Sequence, residues 1–183
     1  MGENRAFSSQ VLVGDAITLR PLRDSDSPFI VIAGNDPETQ KWLPLPTPYT
    51  PEDARRFISE ISIATLAAGT GIVFAIEWKG VFVGCIDIKR AEWLNGVCEI
   101  GYWTMPESRG RGLMSQALAH LSSWVLLEQG FARVEVRVAV ENFASQRVAQ
   151  KAGFVREGLA RRAGRVHGGR VDLIIYSKVL EDL

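Results

Sequence analysis

A strand pattern, a helix and a second strand pattern in close succession constrain this chain more than anything else in it. Residues 133–140, RVEVRVAV, alternate strictly, with Val134, Val136, Val138 and Val140 on one side and Arg133, Glu135 and Arg137 on the other. That is the period of a strand with one face in a core. Upstream, Met114, Ala117, Leu118, Leu121, Trp124 and Val125 recur every three or four residues, and Gly130 ends the run. This is the signature of an amphipathic helix with a glycine stop. GVCEIGYWTM (96–105), ahead of the helix, is a further strand. Strand, helix and strand joined this closely form a right-handed crossover with the two strands parallel. The chain is therefore α/β.

The remaining segments supply neighbours for that unit. AITLRPL (16–22) alternates as a strand, and residues 24–43 suggest a short helix with a break between Asn35 and Pro37. Thr50 caps a longer helix, with Pro51 tolerated in its first turn and Glu52 and Asp53 favouring its positive end. IVFAIEW, Lys79-Gly80 and VFVGCIDI make a hairpin. A helix begins near Asn142 and stops before Gly153, and two last strands, about 154–163 and 170–179, flank an HGGR turn. The expected order is β, α, α, β, β, β, α, β, α, β, β: a mixed central sheet of about seven strands with helices on both faces. Without repeat or linker, residues 1–10 are expected as a flexible tail and 11–183 as a single domain.

Composition removes several classes. Basic and acidic side chains both number 21, whereas a nucleic-acid binder carries a basic excess, so no nucleic-acid partner is expected. No apolar run approaches the length of a membrane span, and MGENRAFSSQ lacks the apolar region of a signal peptide. A cytoplasmic protein without a membrane partner is expected. Cys85 and Cys98 lie in apolar strands without metal-ligand spacing, the pattern of buried reduced thiols, and no metal is expected.

The joint between strand and helix, MPESRGRGL (105–113), carries Arg109, Gly110, Arg111 and Gly112. Glycines there let successive amides point at one ligand beside the positive helix end, and the arginines add charge. A plain surface turn is the alternative. A Walker A loop fails because Leu113, Met114 and Ser115 follow Gly112 where Lys and Ser/Thr belong. A dinucleotide fingerprint fails on Ser115 and on the lack of an acid at the end of the next strand.

Together, CEIGYWTMPESRGRGLMSQAL (98–118) and ENFASQRVAQKAGFVREG (141–158) resemble the GNAT superfamily of acyl-CoA-dependent N-acetyltransferases. Within it they look like the RimJ/RimL-type branch, named for ribosomal-protein N-terminal acetyltransferases. The resemblance runs from about residue 14 to 180 and implies the GNAT fold, with strands 96–105 and 133–140 splayed. It implies acetyl-CoA as co-substrate, its pyrophosphate held on the amides of Arg109, Gly110, Arg111, Gly112, Leu113 and Met114. Met114 departs from the family's usual small residue and fits if its side chain joins the helix's apolar face. Pantetheine would pair with the backbone of Trp103, Thr104 and Met105, Asn142 would bind its arm, and Arg147 would reach the phosphates.

Acetyl transfer to an amine needs a neutral nitrogen, a proton acceptor, and stabilisation of the oxyanion and leaving thiolate. Glu99, a carboxylate in an apolar run, is the candidate base, acting through a water; a structural ion pair with an arginine is the alternative. The family's frequent Tyr acid falls on Ala149 here; Ser145, three residues after Asn142, matches the RimL-type pattern, and the resemblance implies it as the donor to the sulfur, with a helix-cap hydroxyl as its alternative. Trp42 with the LPLPTPYTP loop, Tyr102, and His167 in the AGRVHGGR turn are placed with the acceptor, although Tyr102 alternates away from Glu99. An α-amine near pKa 8 costs roughly 1 kcal/mol to deprotonate at neutral pH, a lysine roughly 4–5. A single carboxylate suits the first, so a protein N-terminus is the expected acceptor. Left open are a small-molecule amine, a longer acyl group such as succinyl, a non-catalytic acyl-CoA-binding module, and assembly as a homodimer.

Overall fold

The computed structural model describes residues 6–183. Eight strands form one sheet: β1 (Leu12–Val13), β2 (Ile17–Arg20), β3 (Ile72–Trp78), β4 (Val81–Glu92), β5 (Val97–Thr104), β6 (Arg133–Ala139), β7 (Val155–Val166) and β8 (Gly169–Val179). Their order is β1-β2-β3-β4-β5-β6-β8-β7, and every neighbouring pair is antiparallel except β5–β6. One more strand is present than the sequence patterns suggest, because Leu12 and Val13 pair with Leu19 and Thr18 in a strand too short to show a period. The last two strands form the expected hairpin, but β8 folds back between β6 and β7. Val136 and Val138 thereby pair with Tyr176 and Ile174 and complete the interior of the sheet.

Helices cover both faces. On one lie α1 (Ser27–Asn35), with α2 (Pro37–Trp42) against it, and α3 (Pro51–Arg56); on the other lie α5 (Leu113–Leu127) and α6 (Phe143–Lys151), while α4 (Ser62–Ala67) runs beside β3 with Leu66 packed on the same core as α5. The break between α1 and α2 follows from Asp36, extended before Pro37, whose carboxylate accepts the Thr39 N–H, a residue before proline being disfavoured in the helical region. The helix expected over 50–69 is interrupted by a π-turn at Phe57–Ile61. Around it the hydroxyls of Ser59, Ser62 and Thr65 bond back to the carbonyls of Arg55, Ile58 and Ile61, a local competition that distorts helices.

The larger core packs Leu118, Leu121 and Val125 of α5, all fully buried, on Ile86, Ile88, Ile100 and Val134 of the sheet. Each such side chain contributes about 1.5–3 kcal/mol, so α5 is held far more firmly than helix propensity alone provides. A smaller core joins α1 and α3 to Ala75, Cys85 and Met105. Cys85 and Cys98 are both free and buried. The tail expected over 1–10 needs correction where it can be seen. Residues 1–5 lie outside the described residues, but Phe7 is buried, its ring 4.6 Å from Trp93 and stacked on Phe131.

Candidate active site

The parallel pair β5–β6 is three residues long. Val97, Cys98 and Glu99 lie opposite Arg133, Val134 and Glu135. Beyond Glu99 the strands part, β5 staying with β4 and β6 with β8. The wedge they leave, the 108–114 loop, α6 and the end of α2 line one cavity of about 590 Å³, within the range of small-ligand sites.

The glycine loop forms one wall. Gly110 and Gly112 have φ of +75° and +76°, and nothing lies within 4 Å of a Cβ at either. The need for glycine is thus conformational, a left-handed backbone that other residues adopt only at a cost. Gly112 caps α5 without any side-chain acceptor, and no acid stands in the first turn. The first bond into α5 runs from the Gln116 N–H to the Gly112 carbonyl. The N–H groups of Leu113, Met114 and Ser115 are therefore left unspent by the helix. Free N–H groups at a helix start are the chemistry that can hold an anion. Met114 is buried in the main core, so its size is absorbed by the apolar face of α5. Arg147 and Lys151, one turn apart on α6, line the same cavity.

Glu99 is the last residue of β5 paired to β6, mostly buried, and its carboxylate faces three cations. Lys89 Nζ lies 3.2 Å from one oxygen; Arg137 Nε at 3.6 Å and Arg90 Nη2 at 3.7 Å share the other. A β-bulge in β4 between Ile88 and Arg90 brings both β4 cations to this spot. Arg137 also bonds Glu135, the cross-strand neighbour of Glu99. Two carboxylates side by side are destabilising unless a cation stands between them, and Arg137 does so. Burial alone would push Glu135 up, but bonds from Arg133 and Arg137 hold it below the ordinary range. The ion-pair alternative for Glu99 thus describes its surroundings, with a lysine and two arginines rather than one arginine.

Ser145 does not cap α6. Asn142 does, its side-chain oxygen accepting the Ser145 N–H at 3.0 Å. The Ser145 hydroxyl instead meets the Tyr102 hydroxyl at 2.9 Å. Tyr102, reaching up from β5, lines the cavity from the face of α6, and burial raises its phenol above the ordinary value. It therefore stands with Ser145, not with the acceptor-side group in which the sequence places it.

Trp103, Thr104, Leu113, Asn142 and Trp42 all line the cavity, Trp42 with its ring N–H bonded to Glu38. Three residues do not. The Met105 side chain is fully buried and its N–H is already bonded to the Val83 carbonyl, so it has no backbone donor to offer pantetheine. The Arg111 guanidinium lies over the Trp78 ring, 5.7 Å from its centre. His167 sits at the tip of the β7–β8 hairpin, Nε2 3.0 Å from Gln40 Oε1 of α2. Arg109 does line the cavity, but its guanidinium bonds Asp36 and, at 3.0 Å, the Thr39 hydroxyl. Burial opposes ionisation of Asp36, yet Arg109 and the Thr39 N–H hold its carboxyl below the ordinary range. Arg109 thus ties the glycine loop to the α1–α2 junction. Lys89, Arg137, Asp36 and Lys151 were not singled out from sequence; only Lys151, four residues after Arg147, left a local signal.

Among the described residues no group of three His, Cys, Asp or Glu side chains is placed to hold a metal ion, and no helix is long and apolar enough to cross a membrane. The acetyltransferase (GNAT) domain family matches residues 16–155, a span that contains the glycine loop, Glu99 and Ser145. The chain belongs to this family. Among relatives of this GNAT protein is the candidate ribosomal N-acetyltransferase YdaF of Bacillus subtilis (strain 168), 30% identical over 90% of this chain and 92% of its own. The ribosomal-protein-serine acetyltransferase of Escherichia coli (strain K12) is 28% identical over 71% of this chain and 72% of its own. The microcin C7 self-immunity acetyltransferase, solved with acetyl-CoA and AMP, superposes with a TM-score of 0.83 at 25% identity, covering 96% of this chain and 98% of that one. The GNAT match ends at residue 155, so nearly all of the β7–β8 hairpin lies beyond it.

Proposed function

We propose that this protein transfers an acetyl group from acetyl-CoA to a primary amine, with a polypeptide N-terminus as the acceptor and 11–183 as the catalytic domain. The carrying observation is the wedge between β5 and β6, with an anion cradle along one wall and Glu99 where the strands part. The pyrophosphate lies on the amides of residues 110–114, with Arg147 and Lys151 beside the phosphates. The pantetheine arm runs along Trp103 and Thr104 and past Asn142.

The neutral acceptor nitrogen adds to the thioester carbonyl carbon, and the carbon–sulfur bond then breaks. The nitrogen's proton passes through a water to Glu99, whose oxygens Lys89, Arg90 and Arg137 keep in place. The departing thiolate is held by a hydrogen bond from the Ser145 hydroxyl, which Tyr102 backs by a hydroxyl–hydroxyl bond, and takes up by way of water the proton released at nitrogen. One proton lost at nitrogen and one gained at sulfur leave an amide and free CoA thiol. An α-amine suits this site because its deprotonation costs only about 1 kcal/mol at neutral pH. The ribosomal-protein names of the relatives support the same acceptor. A small-molecule amine is the second reading, favoured by the likeness to a self-immunity enzyme solved with AMP.

The test is thiol release from acetyl-CoA with free-N-terminal peptides, the same peptides blocked, and small amines, each product identified by mass spectrometry. Free peptides are expected to gain one acetyl group and blocked peptides none. Tight acetyl-CoA binding with no thiol release from any amine would leave a binding module and overturn the reading. Glu99→Gln is expected to lower kcat by about 10²–10⁴-fold with the KM for acetyl-CoA unchanged.

A further inference from the structure

In a chain of zero net charge, the β7–β8 hairpin concentrates positive charge. Arg161, Arg162, Arg165 and Arg170 fall within ten residues, and Asp172 is the one acid between Glu157 and Glu181. All four arginines are exposed. The ion pairs of this part of the sheet use Arg133 and Arg137 instead, and the Asp172 carboxylate accepts the backbone N–H of Arg162 at 2.7 Å.

Two features of this cluster work against the hairpin itself. Arg165 and Arg170 are directly opposite across the strands, and like charges so placed are destabilising. Arg162 has φ of +52°, within a register break between Ala160 and Gly164, a backbone region uncommon outside glycine. Among the described residues none of these guanidiniums makes a hydrogen bond or an ion pair within the hairpin. Its tip is nonetheless positioned: His167 bonds Gln40, and the neighbouring Thr39 and Trp42 line the cavity mouth.

Resting on the acceptor reading above, we propose that this arginine cluster is a docking surface for an acidic acceptor polypeptide. The terminal amine enters the cavity while carboxylates a few residues further along lie on the hairpin. Acidic side chains are the complement the surface calls for, and an extended chain advances about 3.3 Å per residue, so a short acidic stretch behind the terminus spans from mouth to hairpin. A single exposed pair gains about 1.5- to 5-fold, and two or three together give on the order of tenfold in kcat/KM.

The test compares two peptides with the same first three residues, one continuing with Asp and Glu, the other with Ser and Gln. It uses wild type and an Arg165→Gln/Arg170→Gln double variant. Wild type at low salt is expected to favour the acidic peptide about tenfold, and the variant about twofold or less, with the neutral peptide and the acetyl-CoA KM unaffected. About 0.5 M salt should erase the preference in wild type, since screening shortens to a few ångströms. The variant should melt no lower than wild type, because a like-charge pair has been removed. Turnover of both peptides at equal efficiency in wild type, or a preference that survives in the variant, overturns the docking surface while leaving the acetyltransferase reading intact. Anisotropy of the labelled acidic peptide separates the converse case: salt-sensitive binding lost in the double variant, without acetylation, keeps the surface and removes the acceptor reading. A single-stranded RNA oligonucleotide of equal length that binds more tightly than the acidic peptide overturns the polypeptide assignment.

Discussion

Asp87 on β4 ought to make the fold lose stability as pH rises. It lies opposite Gly101 of β5, and a Cβ at Gly101 would come within 3.2 Å of its carboxylate and 2.5 Å of the Lys89 stem. Burial, reinforced by Glu99 and opposed by Lys89, pushes the Asp87 carboxyl from 3.8 up to about 7. A gap of about three pH units is worth at most about 4 kcal/mol, and partial exposure of the side chain brings the expected effect to about 2 kcal/mol. Below pH 4 the carboxyl is neutral in both folded and unfolded chains and costs nothing. Between pH 4 and 7 the unfolded chain ionises while the folded one resists, so stability falls, and the full cost is present above pH 7. Asp87→Asn removes the titration. Urea unfolding followed by tryptophan fluorescence at pH 4, 6 and 8.5 should show the variant gaining on wild type by about 2 kcal/mol across that range. A difference between variant and wild type that does not change with pH refutes the reasoning, as does a variant that loses ground at pH 8.5.

Two further outcomes bear on the donor side. Gly112→Val forces a β-branched residue into the left-handed region in open space, a cost of about 1–2 kcal/mol, and should raise the acetyl-CoA KM about tenfold or more, with kcat at saturation largely kept. An unchanged KM in a folded variant would remove the glycine loop from the binding site. Ser145→Ala should lower kcat by about 10- to 100-fold without moving the acetyl-CoA KM, and Tyr102→Phe should lower it less. Wild-type turnover in both variants would make the hydroxyl pair structural.

Strand and helix periods, the glycine joint and the Asn142 block were all legible because each is written in neighbouring residues. The break at Asp36-Pro37 was legible for the same reason: a capping acid and a proline act on the backbone beside them. The π-turn was missed because Ser59, Ser62 and Thr65 look harmless in an amphipathic run until their hydroxyls choose carbonyls. Phe7 was missed because one aromatic in a polar tail has no period, and its burial depends on Trp93, Trp124 and Phe131 converging from three distant segments.

At the site the same division holds. The sequence by itself determined the α/β class, the parallel crossover and the glycine-bearing start of α5, since local period and backbone preference need no distant partner; Glu99 and Ser145 were marked out by the family resemblance of the motifs that carry them. Only the tertiary structure decided that β5 and β6 part after Glu99 and that three cations from two other strands gather on its carboxylate. It likewise decided that Tyr102 backs Ser145 from 43 residues away, and that Arg109 reaches 73 residues back to Asp36. Those contacts depend on sheet register and crossover, which bring together side chains that share no pattern along the chain.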